Sequence, residues 1–575
     1  MKKNLVSLVV FMMTSASALA GGILTNTNQN VMFLKNPARD AAIGLDGVYS
    51  NPAGVVFLPE GLHIAFNWQY AHQTRTTTWD NDLLKLGLKN NNSSFKQYKG
   101  VADAPIIPSL QAAYNKGDWS YQFNFSIPGG GGKCEFDQGI GSFETVVGAI
   151  TNKLINTSNM LNAQLGQFNA SVPNVTGYDV DGYMKGRQYY FGVQVGAARK
   201  INEHLSVYGG LRLLYGTASY EARLNNIRVM NGQDGMTLPE YFRGVKEGLE
   251  VAGNNITSQA TMVQNGINQV QNGINQVQNS INQYVQAFTQ AGMTQEQAMQ
   301  TPEVQQLMQQ GQQLTQQGQQ LTQQGQQLAT AGATLQGVGE QLSQSAETLA
   351  PYANGMNLKS DQTGWGIAPI IGIDYKTGPF NFAAKYEFKT RMRMKNNSDL
   401  PEATVIDAMN KYVNGTSVPE DSPALLALGA QWSIIDNVRL NLGYHHFYDT
   451  DAHWYNNTQK LLDGGTNEYL GGAEWDITPR LTISGGGQLT RYQLTDAYMN
   501  DISFVVSSYS LGFGLSYKVS DAVKLSAAYF QTNYEDYDMN TPAKNMESLG
   551  LTIPEGKNSF TRTNRVLGLG VEVSF

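Results

Sequence analysis

A cluster of histidine and aspartate residues is the strongest candidate for chemistry in this chain of 575 residues. Imidazole and carboxylate groups bind divalent metals and act as acid–base pairs. The cluster consists of His445, His446, Asp449, Asp451 and His453. In an extended strand neighbouring side chains point to opposite faces, so His445 and His446 cannot both ligate one ion from regular geometry. We therefore predict no metal site, no cofactor and no enzyme activity here, and interpret the cluster as a solvated loop at the end of a strand.

Charged and apolar side chains alternate in another segment of the chain. One face consists of Lys385, Glu387, Lys389 and Arg391, and the opposite face of Phe382, Ala384, Tyr386 and Phe388. This alternation is typical of a strand whose two faces meet different surroundings. The apolar face suits lipid, so we predict that the charged face lines a polar lumen.

The end of the chain has the same alternating pattern. In residues 562–575, Leu567, Leu569, Val571 and Val573 share one face with the terminal Phe575. Small or polar residues occupy the other face, as in a strand of a transmembrane barrel. The terminal aromatic residue resembles the signal by which the barrel-assembly machinery recognises its substrates, so we expect that machinery as a partner.

The first residues of the chain are typical of a secretory signal peptide. Lys2 and Lys3 precede a short apolar run, and the small residues before Gly21 suit a signal peptidase. We predict a signal peptide over residues 1–20. The expected location is the outer membrane of a Gram-negative cell, as a multi-pass barrel in contact with membrane lipid.

Composition argues against several other classes of protein. The formal net charge is −7 and there is no basic run, so we predict no nucleic-acid binding. No later stretch has the roughly 18 consecutive apolar residues of a membrane helix, so we expect no helical anchor. The single cysteine, Cys134, cannot form an intramolecular disulfide. A closed hydrogen-bonded sheet must therefore supply the stability.

Alternating segments predict fourteen antiparallel strands, and so an all-β transmembrane barrel over residues 61–575. They cover residues 63–70, 109–115, 120–127, 187–199, 205–220, 365–375, 380–391, 424–434, 438–448, 467–477, 481–492, 507–518, 523–534 and 562–575. The second and third of these segments are short for a membrane crossing. Tight turns and long connections alternate between the strands, which is typical of short periplasmic turns and long extracellular loops.

About forty residues before the first strand show no sustained alternation, so residues 21–60 are a predicted plug, or hatch. This segment contains Asn51, Pro52 and Ala53, which follow an Ala- and Gly-rich stretch with the acidic residue Asp46. These residues, with the strand count and the terminal Phe, resemble the FadL family of outer-membrane long-chain fatty-acid transporters. The resemblance covers the hatch, the strand order and the C-terminal sheet.

The resemblance implies passive uptake of a hydrophobic ligand. In that family the ligand enters from an extracellular groove, reaches the lumen and leaves sideways through a gap made by a kinked third strand. Here Pro128, Gly129 and Gly130 directly follow the third predicted strand. Because proline cannot donate to a ladder and glycine tolerates bulges, they are the candidate lateral opening. The start of a flexible loop is an equally good interpretation.

The resemblance also places the groove of the family on helices in the third and fourth long loops. Matching residues in this chain are Leu238, Tyr241 and Phe242 in the third loop and Val405, Met409 and Val413 in the fourth. Their spacing is helical, with Val405, Met409 and Val413 four residues apart. These side chains either form an apolar groove or pack only on each other.

Residues 256–350 depart from the pattern of the FadL family. Apolar residues from Ile267 to Ile281 alternate at three- and four-residue spacing, and leucines from Leu307 to Leu349 recur every seven residues. This pattern predicts a helical hairpin inserted in the third extracellular loop. Gln-rich, Gly-containing sequence is also typical of disorder. Nothing in the sequence identifies a partner for this hairpin.

These patterns leave three functions open. The first is passive outer-membrane transport of hydrophobic molecules, either fatty acids or aromatic compounds. The second is a general porin for polar solutes, which needs an open lumen where we expect a hatch. The third is a surface adhesin or receptor whose barrel displays the helical hairpin.

Overall fold

The computed structural model describes residue 23 and residues 25–349, 356–400, 411–502, 504–546 and 550–575. Within these ranges the chain forms a closed barrel of fourteen antiparallel strands, so the predicted fold class is confirmed. The predicted signal peptide, residues 1–20, lies outside the described residues. So do Val405 and Met409.

Each barrel strand overlaps one of the segments predicted from the alternating pattern. The strands are β1 (Gly61–Asp80), β2 (Phe95–Lys116), β3 (Trp119–Phe136), β4 (Gly177–Lys200), β5 (Leu205–Asn231), β6 (Met356–Thr377), β7 (Phe380–Glu387), β8 (Leu425–Ile435), β9 (Val438–Phe447), β10 (Thr466–Asp476), β11 (Leu481–Arg491), β12 (Ser508–Lys518), β13 (Val523–Tyr534) and β14 (Gly556–Ser574). Shorter strands outside the fourteen are Asp234–Thr237, Arg393–Ser398, Ser417–Pro419, Tyr537–Thr541, Lys544–Met546 and Leu551–Ile553.

The first strand closes the barrel by pairing with the last. β1 pairs with β2 on one side, as in Leu62↔Tyr114, and with β14 on the other, as in Phe66↔Val571. The backbone of Phe575 continues this contact, because its N–H donates to the carbonyl oxygen of Leu62 at 2.8 Å. Closure gives both edge strands a hydrogen-bonding partner.

Several strands are longer than their alternating segments. The prediction that the second and third strands are short is wrong, since β2 runs over Phe95–Lys116 and β3 over Trp119–Phe136. Both extend toward the long connections, where prolines, glycines and charged residues interrupt the regular alternation. Alternation marks only the part of a strand that faces lipid, so it underestimates strands that continue into water.

Side chains on the two faces of the sheet differ in character. On β12, Leu511, Phe513 and Leu515 are exposed on the outer face, whereas Ser510 and Ser516 are buried on the inner face. The same arrangement recurs along the other strands. An apolar exterior around a polar interior is the pattern of a barrel that sits in lipid.

Tight turns connect the strands at one end of the barrel. Lys116 and Trp119 flank the turn between β2 and β3, where Gly117 has a φ of +57°. Gly378 has a φ of +54° in the turn between β6 and β7. Only glycine adopts this left-handed conformation without strain. Within the larger group of described residues that forms the barrel, the connections at the other end are longer, as between β1 and β2 (residues 81–94) and between β9 and β10 (residues 448–465).

The chain divides into two compact units. The larger comprises residues 1–150, 179–227 and 354–575, and the smaller comprises residues 151–178 and 228–353. The α-helices are α1 (Val31–Lys35), α2 (Gly141–Leu165), α3 (Leu238–Gln290), α4 (Gln295–Met299) and α5 (Pro302–Leu349). Among the described residues, no helix has the combined length and apolar character needed to cross a bilayer.

Two long helices dominate the smaller unit. α3 begins with a capping box between Thr237 and Glu240 and packs against α5. The helices run antiparallel, because Gly273 lies beside Leu314 whereas the earlier Gly266 lies beside the later Leu321. The seam buries valine and isoleucine side chains at Val263, Val270, Val277 and Ile281. Glycines on both helices permit this close approach.

Candidate functional site

The N-terminal segment, residues 25–60, lies against the inner face of the barrel. Its first helix, α1, begins at a cap in which Asn30 accepts a hydrogen bond from the N–H of Phe33 at 3.0 Å. The apolar side chains of α1 pack on inward residues of β13 and β14. A Cβ at Gly512 would lie 2.0 Å from the carbonyl oxygen of Leu34, and one at Gly568 would lie 2.3 Å from its side chain. These two glycines are therefore required for the close approach of α1.

A network of buried charges joins the N-terminal segment to the wall. The Lys35 ammonium donates to Ser516 at 2.9 Å and lies 3.9 Å from the Glu474 carboxylate on β10. The Arg39 guanidinium bonds Glu474 at 3.0 Å and Asp46 at 2.7 Å. Asp46, a predicted hatch residue, thus holds the arginine that reaches the wall. Buried charges are tolerated only when they are paired in this way.

His445 forms a second connection between the N-terminal segment and the wall. Its Nε2 lies 2.9 Å from Asp40 of the N-terminal segment, and its Nδ1 lies 2.8 Å from Glu468 on β10. All three side chains are buried. Sequence reasoning placed His445 in a solvated loop, and that interpretation is wrong because His445 lies within β9 on its inner face. The alternation of β9 contained this signal, but Asp40 is too distant in sequence to suggest the pair.

The remaining hatch residues of the prediction, Asn51, Pro52 and Ala53, are held by three different strands. The Asn51 amide donates to Asp374 on β6 at 2.6 Å. Gln122 on β3 donates to the carbonyl of Pro52, and Ser206 on β5 donates to the carbonyl of Ala53, both at 2.7 Å. Asn51 also accepts from the N–H of Gly54, which tightens the turn. The tripeptide is a contact site between the N-terminal segment and neighbouring parts of the wall.

Two inward cations of the wall, one on β7 and one on β5, lie against one aromatic ring of the N-terminal segment. Lys385 donates to the carbonyl of Tyr49 at 2.8 Å, and its ammonium lies 4.7 Å from the centre of the Tyr49 ring. Arg212 lies 4.7 Å from the same ring. Glu387 bonds Lys385 at 2.9 Å and Arg212 at 2.5 Å. Of the predicted lumen-facing residues, Lys385 therefore contacts this segment directly, and Glu387 pairs with the two cations that lie against Tyr49.

The other two charged residues of that segment lie beyond the strand. The prediction that the seventh strand continues to Arg391 is wrong, because β7 ends at Glu387. Beyond that end, Thr390 forms an isolated bridge with Ser422 in the same register as the β7–β8 ladder. Lys389 donates to the carbonyl of Asp451 at 2.7 Å, and Arg391 is exposed.

Pairing between β2 and β3 is interrupted partway along the wall. The two strands pair regularly from the tight turn to Leu110↔Phe125, and the next pairing is Val101↔Glu135. Against its other neighbour, β4, β3 has register shifts on both sides of Gly129. The candidate opening, Pro128 to Gly130, lies in this interrupted stretch. The described strands thus leave a local break in the hydrogen-bonded wall.

The N-terminal segment supplies hydrogen-bonding partners at this break. The N–H of Asn26 donates to the carbonyl of Pro128 at 2.8 Å, and the preceding Thr25 forms an antiparallel bridge with β3. The Gln29 amide bonds both the N–H and the carbonyl of Ile127, at 3.0 and 3.2 Å. These bonds replace part of the missing ladder, so the segment covers the inside of the break.

Two residues of β2 that sequence reasoning missed also lie at the break. Pro105 and Pro108 fall between Val101 and Leu110, the two ends of the interruption. Proline has no N–H to donate to a neighbouring strand. β1 and β2 also have a register shift at this level, between Gln69 and Ala71. The two prolines lie just before the predicted second strand, residues 109–115, and sequence reasoning assigned them no role.

No family model matches the sequence, and no curated protein matches it. Among solved structures, a FadL homologue from Pseudomonas aeruginosa aligns over 96% of this chain and 100% of its own, with a TM-score of 0.52 and 11% identity. The chain has the FadL-type barrel fold. The toluene transporter TbuX from Ralstonia pickettii aligns over 95% of this chain and 98% of its own, with 12% identity and a TM-score of 0.44.

The residues predicted to form a FadL-type groove are only partly described. Leu238 and Tyr241 at the start of α3 are buried, and the Tyr241 ring lies 5.4 Å from that of Phe242. Val413 is also buried. Because Val405 and Met409 lie outside the described residues, the groove stays a prediction.

Within the described part of the FadL-type barrel, no three His, Cys, Asp or Glu side chains are grouped to hold a metal ion. His446 lies on the face opposite His445 and contacts Asn467 at 2.9 Å. Asp449 lies just beyond β9 and accepts hydrogen bonds from the N–H and hydroxyl of Thr466 at 2.9 and 2.6 Å. Burial raises the pKa of Asp449 to about 6 despite these bonds. Its Oδ1 also lies 3.4 Å from the N–H of Ile23.

Proposed function

We propose that this chain is a passive channel for hydrophobic small molecules across the outer membrane of a Gram-negative cell. The proposal is supported by the FadL-type fold, an apolar exterior and an N-terminal segment packed inside. In this proposal residues 1–20 are a signal peptide and the barrel-assembly machinery inserts the chain through its last strand. The proposal assigns no catalytic activity to the chain.

The break between β2 and β3 is the observation that carries the proposal. A hydrophobic molecule that enters the lumen can leave directly into lipid only where the wall lacks its hydrogen-bonded ladder. The break lies at Pro128 to Gly130 on one strand and at Pro105 and Pro108 on the other. Lateral exit at this break avoids transfer of an apolar ligand through water.

The N-terminal segment argues against a general porin. A pore for polar solutes needs a water-filled lumen, as in barrels of sixteen or more strands. Here the segment bonds inward side chains of the wall through Arg39, Asn51 and the Lys385–Tyr49 contact. We infer that this hatch excludes small hydrophilic solutes while the channel remains open to apolar ligands by a different route.

We propose a hydrophobic ligand without choosing between chemical classes. Long-chain fatty acids and monoaromatic hydrocarbons both fit the proposed route. Buried apolar side chains at the end with the long connections support an apolar ligand. They form a cluster of Met499, Phe504, Val506 and Phe560, with Tyr498 and Tyr537 packed around it.

A disulfide across the break tests the route. Thr25 and Gly129 are bridged in the structure, so the double variant Thr25→Cys/Gly129→Cys, in a Cys134→Ser background, should link the N-terminal segment to β3. We expect the oxidised protein to take up neither labelled oleate nor a labelled monoaromatic compound. Reduction should restore uptake in cells that lack their own hydrophobe channel.

The two single-cysteine variants are the matched controls, and oxidation should leave their uptake unchanged. Full uptake by the cross-linked protein would rule out exit at this break. No uptake by the intact wild-type chain, despite surface assembly, would argue against the transport function itself.

Surface display of the helical hairpin is the second candidate function. The antiparallel α3 and α5 expose many glutamine and asparagine side chains, and few of their residues beyond the seam are apolar. A polar rod of this kind suits contact with a glycan or another protein. If removal of the hairpin abolishes a surface-binding activity but leaves uptake intact, the result would favour this function.

A further inference from the structure

The outer face of β6 carries an apolar band with an aromatic residue at each border. Trp365 and Tyr375 are the borders, and Ile367, Ile371 and Ile373 lie between them, all exposed. Aromatic residues that flank an aliphatic stretch are typical of the two membrane interfaces of a barrel strand. Residues before Trp365 therefore extend beyond the hydrocarbon layer, at the end with the long connections.

A charged recess opens on the outer face just beyond this band. Its volume is about 370 Å³, and it lies on β4, β5 and β6. The lining residues are Lys185, Arg187, Ser219, Glu221, Lys359 and Asp361. Register places Ser219 opposite Asp361 and Glu221 opposite Lys359 on neighbouring strands. The recess is thus built from adjacent strands of the rigid wall.

The basic side chains of the recess point outward from the wall. Lys185 and Arg187 alternate with the buried inward residues Met184 and Gln188. Among the described residues, Lys185, Arg187 and Lys359 have no carboxylate within 4.0 Å. Glu221 is instead paired with Arg223 at 3.3 Å. Three cations without an ion pair therefore line the recess, together with the carboxylates of Glu221 and Asp361.

Further basic residues surround the recess on the same face. Lys133 on β3 lies opposite Arg187 in the register of the sheet. Arg393 and Lys395 are exposed on the short strand that pairs with β6. Cations thus outnumber carboxylates on this part of the outer face, with Glu135, Glu221 and Asp361 as acidic neighbours. A basic belt at the depth of lipid head groups attracts anionic lipids.

We infer that this recess binds the phosphorylated head group of a glycolipid in the outer leaflet. The inference rests on the outer-membrane location in the proposed function, but not on the cargo or on the lateral exit. A guanidinium and two ammonium groups match phosphate oxygens in charge and hydrogen bonding. The recess continues the lipid-facing surface, so acyl chains of the same molecule lie along Trp365 and Ile367. This continuity favours a lipid over free phosphate.

Lipid retention by the full chain in detergent tests the inference. The triple variant Lys185→Gln/Arg187→Gln/Lys359→Gln removes the cations of the recess. The probes are bisphosphorylated lipid A, its dephosphorylated form and inorganic phosphate, with bound lipid measured by native mass spectrometry. We expect wild type to retain the bisphosphorylated lipid, and the triple variant to bind it roughly tenfold to hundredfold more weakly.

The matched control removes three exposed cations near the tight turns, in Lys376→Gln/Arg480→Gln/Lys518→Gln, and should bind like wild type. Equal retention by wild type and the recess variant would overturn the inference, as would equal binding of the dephosphorylated lipid. Competition by inorganic phosphate at the same concentration as the lipid would reassign the site to a free anion.

Folding and transport are measured on the same variants. Heat-modifiable migration in gels reports whether the barrel is folded. The charge-conserving variant Lys359→Arg should keep lipid binding if the positive charge is what the lipid recognises. A recess variant that loses lipid but keeps hydrophobe uptake separates this site from the channel. If the wild-type protein takes up no hydrophobic compound, the result contradicts the proposed transport function and leaves the lipid-binding inference unaffected.

Discussion

Arg39 joins two carboxylates that belong to different parts of the barrel, Asp46 in the N-terminal segment and Glu474 in the wall. Replacing Arg39 with Met leaves both carboxylates buried without this partner. We expect a loss of about 3–5 kcal/mol in the free energy that holds the segment in place. Hydrogen exchange of the peptide that contains residues 31–57 measures this loss.

An exposed ion pair is the control for that substitution. Lys85 and Asp82 are 2.6 Å apart, with both side chains largely in solvent. Lys85→Met should change stability by less than about 1 kcal/mol. Equal exchange rates in Arg39→Met and wild type would show that the buried network does not anchor the segment.

Asp449 makes the loop after β9 sensitive to pH. Burial raises the pKa of its carboxyl from 3.8 to about 6, so the folded state binds the proton more tightly than the unfolded state. The resulting stabilisation is complete below pH 3.8 and is lost as pH rises to about 6. The loss is on the order of 3 kcal/mol for local opening of this loop.

Exchange of the Thr466 amide, which donates to Asp449 at 2.9 Å, reports that opening. After correction for the intrinsic rate, protection should fall between pH 4 and pH 7 in wild type. Asp449→Asn should remove the pH dependence, and the exposed neighbour variant Asp451→Asn should retain it. A pH dependence that survives Asp449→Asn would assign the effect to another group.

At the scale of elements, the break between β2 and β3 depends on residues that cannot complete a ladder. The variant Pro105→Thr/Pro108→Thr/Pro128→Thr restores three backbone N–H donors. We expect more hydrogen bonds between β2 and β3, a several-fold reduction in the uptake of hydrophobic compounds and no loss of thermal stability. Uptake assays with labelled oleate and gel-shift melting curves measure the two effects.

Pro479→Thr is the control for the proline variant, because Pro479 lies in a tight turn far along the chain from the break. It should leave uptake unchanged. If the triple variant transports as well as wild type, the prolines do not maintain the opening.

The hairpin offers a second test at this scale. A Cβ at Gly332 would meet Ile256 at 3.9 Å, whereas one at Gly318 would meet Val270 at 3.3 Å. Gly332→Ala should therefore stabilise the hairpin by up to about 1 kcal/mol through helix propensity. Gly318→Leu should destabilise it by about 1–3 kcal/mol through overpacking. Thermal melting followed by circular dichroism at 222 nm measures the stability of both variants. Destabilisation by Gly332→Ala together with stabilisation by Gly318→Leu would contradict the antiparallel seam.

At the scale of the whole molecule, transport and display make different demands on the chain. Ile256 and Gly332 lie side by side across the hairpin, so residues 257–331 can be replaced by a short glycine linker. We expect the shortened protein to form a heat-modifiable barrel and to keep most of its hydrophobe uptake. Loss of uptake in a correctly assembled barrel would assign the hairpin a part in transport.

Much of the barrel was predictable because its signals are local. The period of two along each strand, tight turns such as the one at Gly117 and the alternation of connection lengths predicted all fourteen strands. Strand ends were less predictable. β2 and β3 continue through prolines, glycines and charged residues that interrupt the alternation, so the pattern stops before the strand does.

The sequence alone determined the barrel, its strand order and the helical character of the insertion, because each follows from side-chain periodicity within a few turns or residues. Tertiary structure alone decided how the N-terminal segment is held and where the wall is interrupted. The contact of Asp40 with His445 and the pairing of Asn26 with Pro128 join residues far apart in the chain. No local pattern encodes such pairs, because they form only when closure of the barrel sets the register of every strand.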